Sequence, residues 1–320
     1  MIACVVLSGV SVLVGCTSSE RPAPIPEPPV STPGPTPSNQ PAALPPAAYQ
    51  DRLNRLDQRL GDALTLVRQS RDPDTLEQAT LAAASVASSE SEQSRVDPGD
   101  PSVTQANTAL ADSLNVFGQE LGYLSQQVHA HEICTGPAVM DMVATAPSMP
   151  ALKAVSSGLA LPGADGRSYR WGTSLPARPA ELSRPPVKLA NGTVLVDRRT
   201  PGQGDGQLEL RNDGTDEAVV MLSRAGTLLL SVAVAPAQST TVGGIADGDY
   251  DLEYTSGRDW DSNLSAFGRG CSFRRFSDQA SFRTTPADGG VNYTVRTVVI
   301  NSGPADAATA DIPPGQLPHQ

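Results

Sequence analysis

Three groups of side chains in this chain have the residue types that site chemistry requires. His129, His131, Glu132 and Cys134 gather four potential metal ligands within six residues. Zinc needs three or four such donors converging on one point. The spacing works against that, because histidines at i and i+2 of a helix point to different sides and the His-Glu-x-x-His spacing is absent. The expectation is a helix end fraying into solvent, with no metal. Asp247, Asp249 and Asp251 alternate as in a calcium loop. The loop glycine is out of place and no glutamate closes the set, so a polar turn before a strand accounts for them. The third group runs from Arg258 to Arg283. It holds Arg258, Arg269, Arg274, Arg275 and Arg283 with Trp260, Phe267, Phe273, Phe276 and Phe282, four of the chain's five phenylalanines.

That third group could stack on single-stranded nucleic acid. The favoured reading places its aromatics in a sandwich core with arginines alternating outward; docking an acidic partner or a cell-wall polymer is the remaining one. Arg258, Trp260, Arg269, Arg274 and Arg275 are the candidate binding surface. Asp259 and Asp261 flank Trp260 and suggest glycan binding centred on that ring. Neighbouring acids on one strand do not face each other across a sugar, as glycoside hydrolysis requires. Nucleophilic catalysis lacks its parts: the remaining histidine is His319 near the end of the chain, and neither G-x-S-x-G nor Ser-x-x-Lys occurs. No enzyme and no cofactor are expected.

Charge narrows the partners. The net charge of −11 opposes binding to nucleic acid, which needs basic surface to displace counterions. It equally opposes electrostatic adhesion to an anionic membrane.

The elements that must position these groups follow from periodicity. In residues 47–133, Leu53, Leu56, Leu60, Leu64 and Val67 recur at spacings of three and four, as do Leu110, Leu114, Phe117, Leu121, Leu124 and Val128. Leu76, Ala79, Ala83 and Val86 repeat the pattern with smaller side chains. Asp72-Pro73 and Asp100-Pro101 each place a capping aspartate before a proline suited to the first helical position. Three antiparallel helices at about 49–70, 73–93 and 101–133 form the simplest arrangement. This segment carries thirteen acidic and six basic residues, a balance of −7, either as a solvated face or as a surface for the arginines above. The apolar seam could also extend into a partner helix.

Residues 134–189 read as a connector with short helices to about Ala144 and from about Pro150 to Leu159, and with Tyr169 and Trp171 lining one face of a short strand. Arg167, Arg170 and Arg178 give it local positive charge. From 190 to 303 the period becomes two, with strands at 207–210, 218–222, 228–234, 250–254 and 293–300. Turn residues separate them at Asn212-Asp213-Gly214, Ala225-Gly226 and Asp247-Gly248. An antiparallel β-sandwich is expected there, followed by a disordered tail over 304–320. The fold class is therefore α+β and multidomain.

The N-terminal segment supplies a setting. An apolar run of thirteen residues from Ile2 to Val14 ends in Leu13-Val14-Gly15-Cys16. It is too short for the ~20 residues of a membrane-crossing helix and suits the core of a secretory signal. No Lys or Arg precedes Cys16, so the usual basic flank is missing. The run resembles a bacterial lipobox, which implies removal of residues 1–15, acylation of Cys16, and a membrane-anchored protein facing away from the cytoplasm. Only two of the 23 basic residues are lysines, and the Arg-rich, Ala- and Pro-rich usage resembles that of actinobacterial lipoproteins. Eleven prolines between Pro22 and Pro46 make 16–46 an extended tether, reaching on the order of 80 Å. In an oxidising space Cys134 and Cys271 either pair or stay as two buried thiols. Val234–Tyr254, with Gly248, Tyr250 and Leu252, resembles the strand–turn–strand element of transthyretin-like and collagen-adhesin B-type modules. That resemblance implies a sandwich in an extracellular setting and no activity. Lys188 precedes the strands, so isopeptide chemistry is not carried over. The combined expectation is a non-catalytic binding or scaffolding protein of the cell envelope, with membrane, envelope protein or cell-wall polymer as partners.

Overall fold

The computed structural model describes residues 44–97, 99, 101–163, 166–177, 187–200, 202–300 and 309–318. Cys16, the proline-rich segment up to residue 43, Asp100, Arg178 and His319 lie outside them. Among the described residues the architecture is mixed α+β, with five helices followed by antiparallel-rich sheet.

Helices α1 (Pro46–Gln69), α2 (Pro73–Val96) and α3 (Thr104–His129) share one core. α1 and α2 each begin with proline in the first turn, where its missing N–H costs nothing. Asp72 caps α2 by accepting from the Thr75 amide at 2.9 Å. α3 is entered through a 3-10 turn, Pro101–Val103. Leu53, Leu56, Leu60, Val67, Leu110, Leu114, Phe117, Leu121 and Val128 are all buried, each apolar side chain contributing roughly 1.5–3 kcal/mol. The seam is thus consumed within its own core and is not open to a partner helix, correcting that expectation. A polar knot lies inside it. Arg52 is buried, donating Nη1 to Ser94 Oγ (2.9 Å) and Nη2 to Asn107 Oδ1 (2.5 Å), with its guanidinium 5.0 Å from the Tyr49 ring centroid. One side chain from α1 thereby sets the register of α2 and α3.

The sequence predicts a third helix reaching residue 133; the helix instead stops at His129. His131 takes a left-handed conformation (φ 56°), and the chain turns away toward the sheet. Then come α4 (Gly136–Ala144) and α5 (Met149–Ala160). α4 starts directly on the end of α1: a Cβ on Gly136 would lie 2.3 Å from the Val67 carbonyl oxygen.

Tyr169 and Trp171 lie in no strand, contrary to expectation. Both pack into the helical core, Tyr169 edge-on to Tyr49 at 5.0 Å. Side chains of α1 replace the missing strand partner. Gln50 donates to the Arg170 carbonyl and accepts from its amide, both at 2.9 Å. Asp57 accepts from the amides and hydroxyls of Thr173 and Ser174.

The strands are β1 (Val194–Asp197), β2 (Gly206–Asn212), β3 (Glu217–Arg224), β4 (Thr227–Val234), β5 (Ser239–Ile245) and β6 (Gly248–Asp261). They continue with β7 (Ala266–Phe276), β8 (Ala280–Phe282), β9 (Thr284–Ala287), β10 (Gly290–Tyr293), β11 (Val295–Ile300) and β12 (Thr309–Asp311). The main sheet has the order β1-β4-β3-β6-β7-β12 with β8 beside β6; a second sheet has the order β11-β2-β5; β9 and β10 form a hairpin. Pairing is antiparallel except between β11 and β2, which run parallel. Alternate residues of the main sheet (Val220, Leu222, Leu230, Val232, Leu252, Tyr254) meet Leu208, Leu210, Val242, Val298 and Ile300 of the second in one core.

β7 borders β6 on one side, and its other edge is capped twice. Toward its start, residues 131–134 run alongside: Cys134 donates its amide to Gly268 O (2.9 Å), and Gly270 and Cys271 donate to Glu132 O and His131 O (both 3.1 Å). Toward its end, β12 pairs with residues 274–276. The tail expected to be disordered is therefore ordered over 309–318. It adds a strand to an edge that would otherwise present unpaired backbone groups, and Asp311 pairs with Arg274 at 3.3 Å.

Candidate functional site

The structure brings two of the sequence groups together where the helices meet the sheet. Along β6 the even-numbered Tyr250, Leu252 and Tyr254 face the core between the sheets. A bulge between Ser256 and Arg258, with Asp259 at φ 60°, then reverses the alternation. Arg258 and Trp260 consequently face the helices, opposite Arg269 and Phe267 of β7. A small third core forms there from Cys134, Val219, Ala233, Trp260, Phe267 and Cys271. Cys134 and Cys271 are joined by a disulfide across a sequence separation of 137 residues, with their Cα atoms 6.3 Å apart. The end of the helical region is thus fixed to β7 by backbone pairing and by a covalent bond.

Beside the disulfide lies a cleft of about 510 Å³, lined by Gln127, by residues 130–133 and by Met142, Arg258, Arg269, Gly270 and Cys271. Arg258 is well exposed and lies 3.8 Å from Asp216; Arg269 lies 3.3 Å from Asp259. Gln127 Nε2 donates to Glu132 Oε2 at 3.3 Å, while its buried Oε1 has no partner. His131 stands edge-on to Phe273 at 5.9 Å.

The remaining candidates separate. Trp260 is 4% exposed and packs edge-on against Phe267 at 4.9 Å. Its faces are closed to a sugar, which corrects the reading of a glycan site centred on that ring. Arg274 and Arg275 do not join Arg258 and Arg269 in one surface. Arg274 alternates to the opposite face of β7. Arg275, six residues along from Arg269 and so about 20 Å away, pairs with Glu253 at 3.2 Å and donates to Gln316 O. Arg283 pairs with Asp249 at the far end of β6. Each of the five arginines has a carboxylate of the sheet region within 3.8 Å.

His129 and His131 diverge, His129 meeting Glu77 at 3.1 Å. With Cys134 held in the disulfide, the six-residue ligand group does not converge. Among the described residues no group of three or more His, Cys, Asp or Glu is placed to hold a metal ion. Asp247, Asp249 and Asp251 are occupied by Thr284, by Ser281 and Arg283, and by Gln279. Hydrogen bonds from Thr284 hold Asp247 below the ordinary carboxylate range, and those from Ser281 and Arg283 do the same for Asp249. Asp261 caps a turn by accepting from the amides of Asn263 and Leu264. Among the described residues no helix is long and apolar enough to cross a membrane.

One buried charged group has little signature in the sequence. Glu253 is 3% exposed on the outer face of the main sheet, under the C-terminal segment. Burial pushes its carboxyl up despite Arg275 and the Ser223 hydroxyl at 3.2 Å. The only sequence signal was an acid in an apolar strand run. Comparison of the chain with protein-family models, curated proteins and solved structures finds no match.

Proposed function

We propose that this chain is a non-catalytic binding or scaffolding protein of the bacterial cell envelope, anchored by a lipid on Cys16 and facing away from the cytoplasm. The observation that carries the reading is the Cys134–Cys271 disulfide. Such bonds persist in oxidising, extracytoplasmic spaces, the compartment that the lipobox-like Leu13-Val14-Gly15-Cys16 implies. The proline-rich segment after Cys16 acts as a spacer that lifts the folded unit off the membrane.

We read that unit as an antiparallel three-helix bundle followed by a β-sandwich of the transthyretin-like kind. The shared core of α1–α3 supports the first part, and the core between two facing sheets supports the second. The junction cleft is the binding element, because helices and sheet both line it and the disulfide keeps its walls in place. In a bacterial host, Cys16→Ser should move the protein out of the membrane fraction while its disulfide still forms. Retention at the membrane with an unchanged mass would overturn the anchor.

A further inference from the structure

Arg258 and Arg269 sit directly opposite each other on β6 and β7, on the side that faces the helices. Like charges at directly opposed positions of neighbouring strands destabilise a sheet. The carboxylates near them compensate only in part. Asp216 and Asp259 stand at 3.8 and 3.3 Å, half-exposed, and ion pairs of that kind contribute little. Neither guanidinium is hydrogen-bonded to a carboxylate among the described residues; Arg269 Nη2 reaches only the Met142 sulfur at 3.7 Å. Arg199, Arg211 and Arg283, by contrast, each donate two or more hydrogen bonds to an aspartate. Two planar forks with unused donors therefore open on one cleft, the geometry that suits a carboxylate or phosphate.

The backbone makes room for them. Gly270 has φ 58°, and a Cβ there would come within 3.3 Å of Arg258 Nη2, so the guanidinium lies along bare main chain. Glu132 lines the same cleft and supplies a carboxylate acceptor. A simple anion leaves that acceptor unused, and a molecule bearing a hydroxyl group beside its anionic group satisfies it.

We propose that the junction cleft binds an oxyanion, carboxylate or phosphate, carried on a hydroxyl-bearing molecule and held between Arg258 and Arg269. The proposal rests on the reading of this chain as a binding protein and adds the ligand class. It is tested on the purified full chain, so its failure leaves the anchoring experiment on Cys16 untouched.

Thermal unfolding and calorimetric titration, at constant ionic strength in chloride, use inorganic phosphate and glucuronate as probes. Saturable binding of either probe supports the site, phosphate alone assigning a phosphate group and glucuronate alone a carboxylated sugar. At tenfold excess over Kd the melting temperature should rise by about 3 °C. Arg258→Gln and Arg269→Gln should each weaken binding at least tenfold, and Asp259→Asn should tighten it severalfold by removing a competitor. Arg283→Gln, on the distant arginine held by Asp249, should change nothing. Without ligand, Arg269→Gln should melt no lower than the parent. No saturable response to either probe, or equal weakening by Arg283→Gln, overturns the proposal.

Discussion

Reducing the Cys134–Cys271 bond should cost the protein a large share of its stability while leaving both main cores folded. The bond closes a loop with a sequence separation of 137 residues. Chain-entropy reasoning gives an upper figure of about 5 kcal/mol for a loop of that length. The contacts around the bond survive reduction. Three backbone hydrogen bonds between 131–134 and 268–271 remain, as does buried Ile133. The junction core, however, holds only six buried residues, far fewer than either neighbour. Without the cross-link, the helical and sheet regions should separate in denaturant before either melts. The two tryptophans report this independently, because Trp171 lies in the helical core and Trp260 in the junction. A urea titration of Trp171→Phe, read by Trp260 emission, should show the midpoint falling by roughly 1–1.5 M on reduction, for a slope of about 3 kcal/mol/M. Helical circular dichroism should then melt at a different midpoint. A shift under about 0.3 M, with coincident transitions, would refute this reasoning.

Local geometry gives four further predictions. Gly136→Ala drives a methyl into the Val67 and Arg68 carbonyl oxygens at 2.3 and 2.6 Å and should cost about 1–3 kcal/mol by thermal melting. Gly158→Ala, where nothing lies within 4 Å inside α5, should instead stabilise by about 0.5–1 kcal/mol. Asp57→Ala removes the acceptor of four hydrogen bonds and should cost about 2–3 kcal/mol at pH 7. Burial raises the Asp57 carboxyl, but the bonds from Ser174 and Thr173 outweigh it and hold it below its usual 3.8. Its contribution is therefore present above that value and disappears as pH falls through the lower folded value, so parent and variant should converge in acid. Glu253 has the opposite sign. Its raised carboxyl makes the ionised form unfavourable in the fold, so the stability it allows is present below its usual 4.5 and lost as pH rises through the folded value. Glu253→Gln should thus gain on the parent between pH 4 and 7 in urea titrations; a constant difference across that range would contradict the assignment.

The helices were legible because leucine spacing, the Asp72 cap and the leading prolines all point the same way. Five of the twelve strands among the described residues (β2, β3, β4, β6 and β11) were equally plain from alternation. What escaped depended on tertiary contacts. The segment around Tyr169 and Trp171 has the look of a strand, yet its polar backbone groups are met by Gln50 and Asp57, more than a hundred residues earlier. Trp260 reads as an exposed ring between two acids because alternation cannot register the bulge that turns it inward. β7 was hidden by its arginines and glycines, and β12 by brevity: a three-residue strand carries no period of its own. The cleft was half visible. Both its residue groups stand out in the sequence, but only the turn at His131 and the backbone ladder along β7 bring them together.

The central claim is that a lipid-anchored, disulfide-closed binding protein stands outside the cytoplasmic membrane. Its most direct test is the intact mass of the protein extracted from bacterial membranes without reductant, before and after thiol alkylation. The account predicts a chain that begins at Cys16, carries acyl mass on that residue, and takes up no alkylating agent at Cys134 or Cys271. A chain that retains residues 1–15, lacks the acyl mass and alkylates at both cysteines would contradict it.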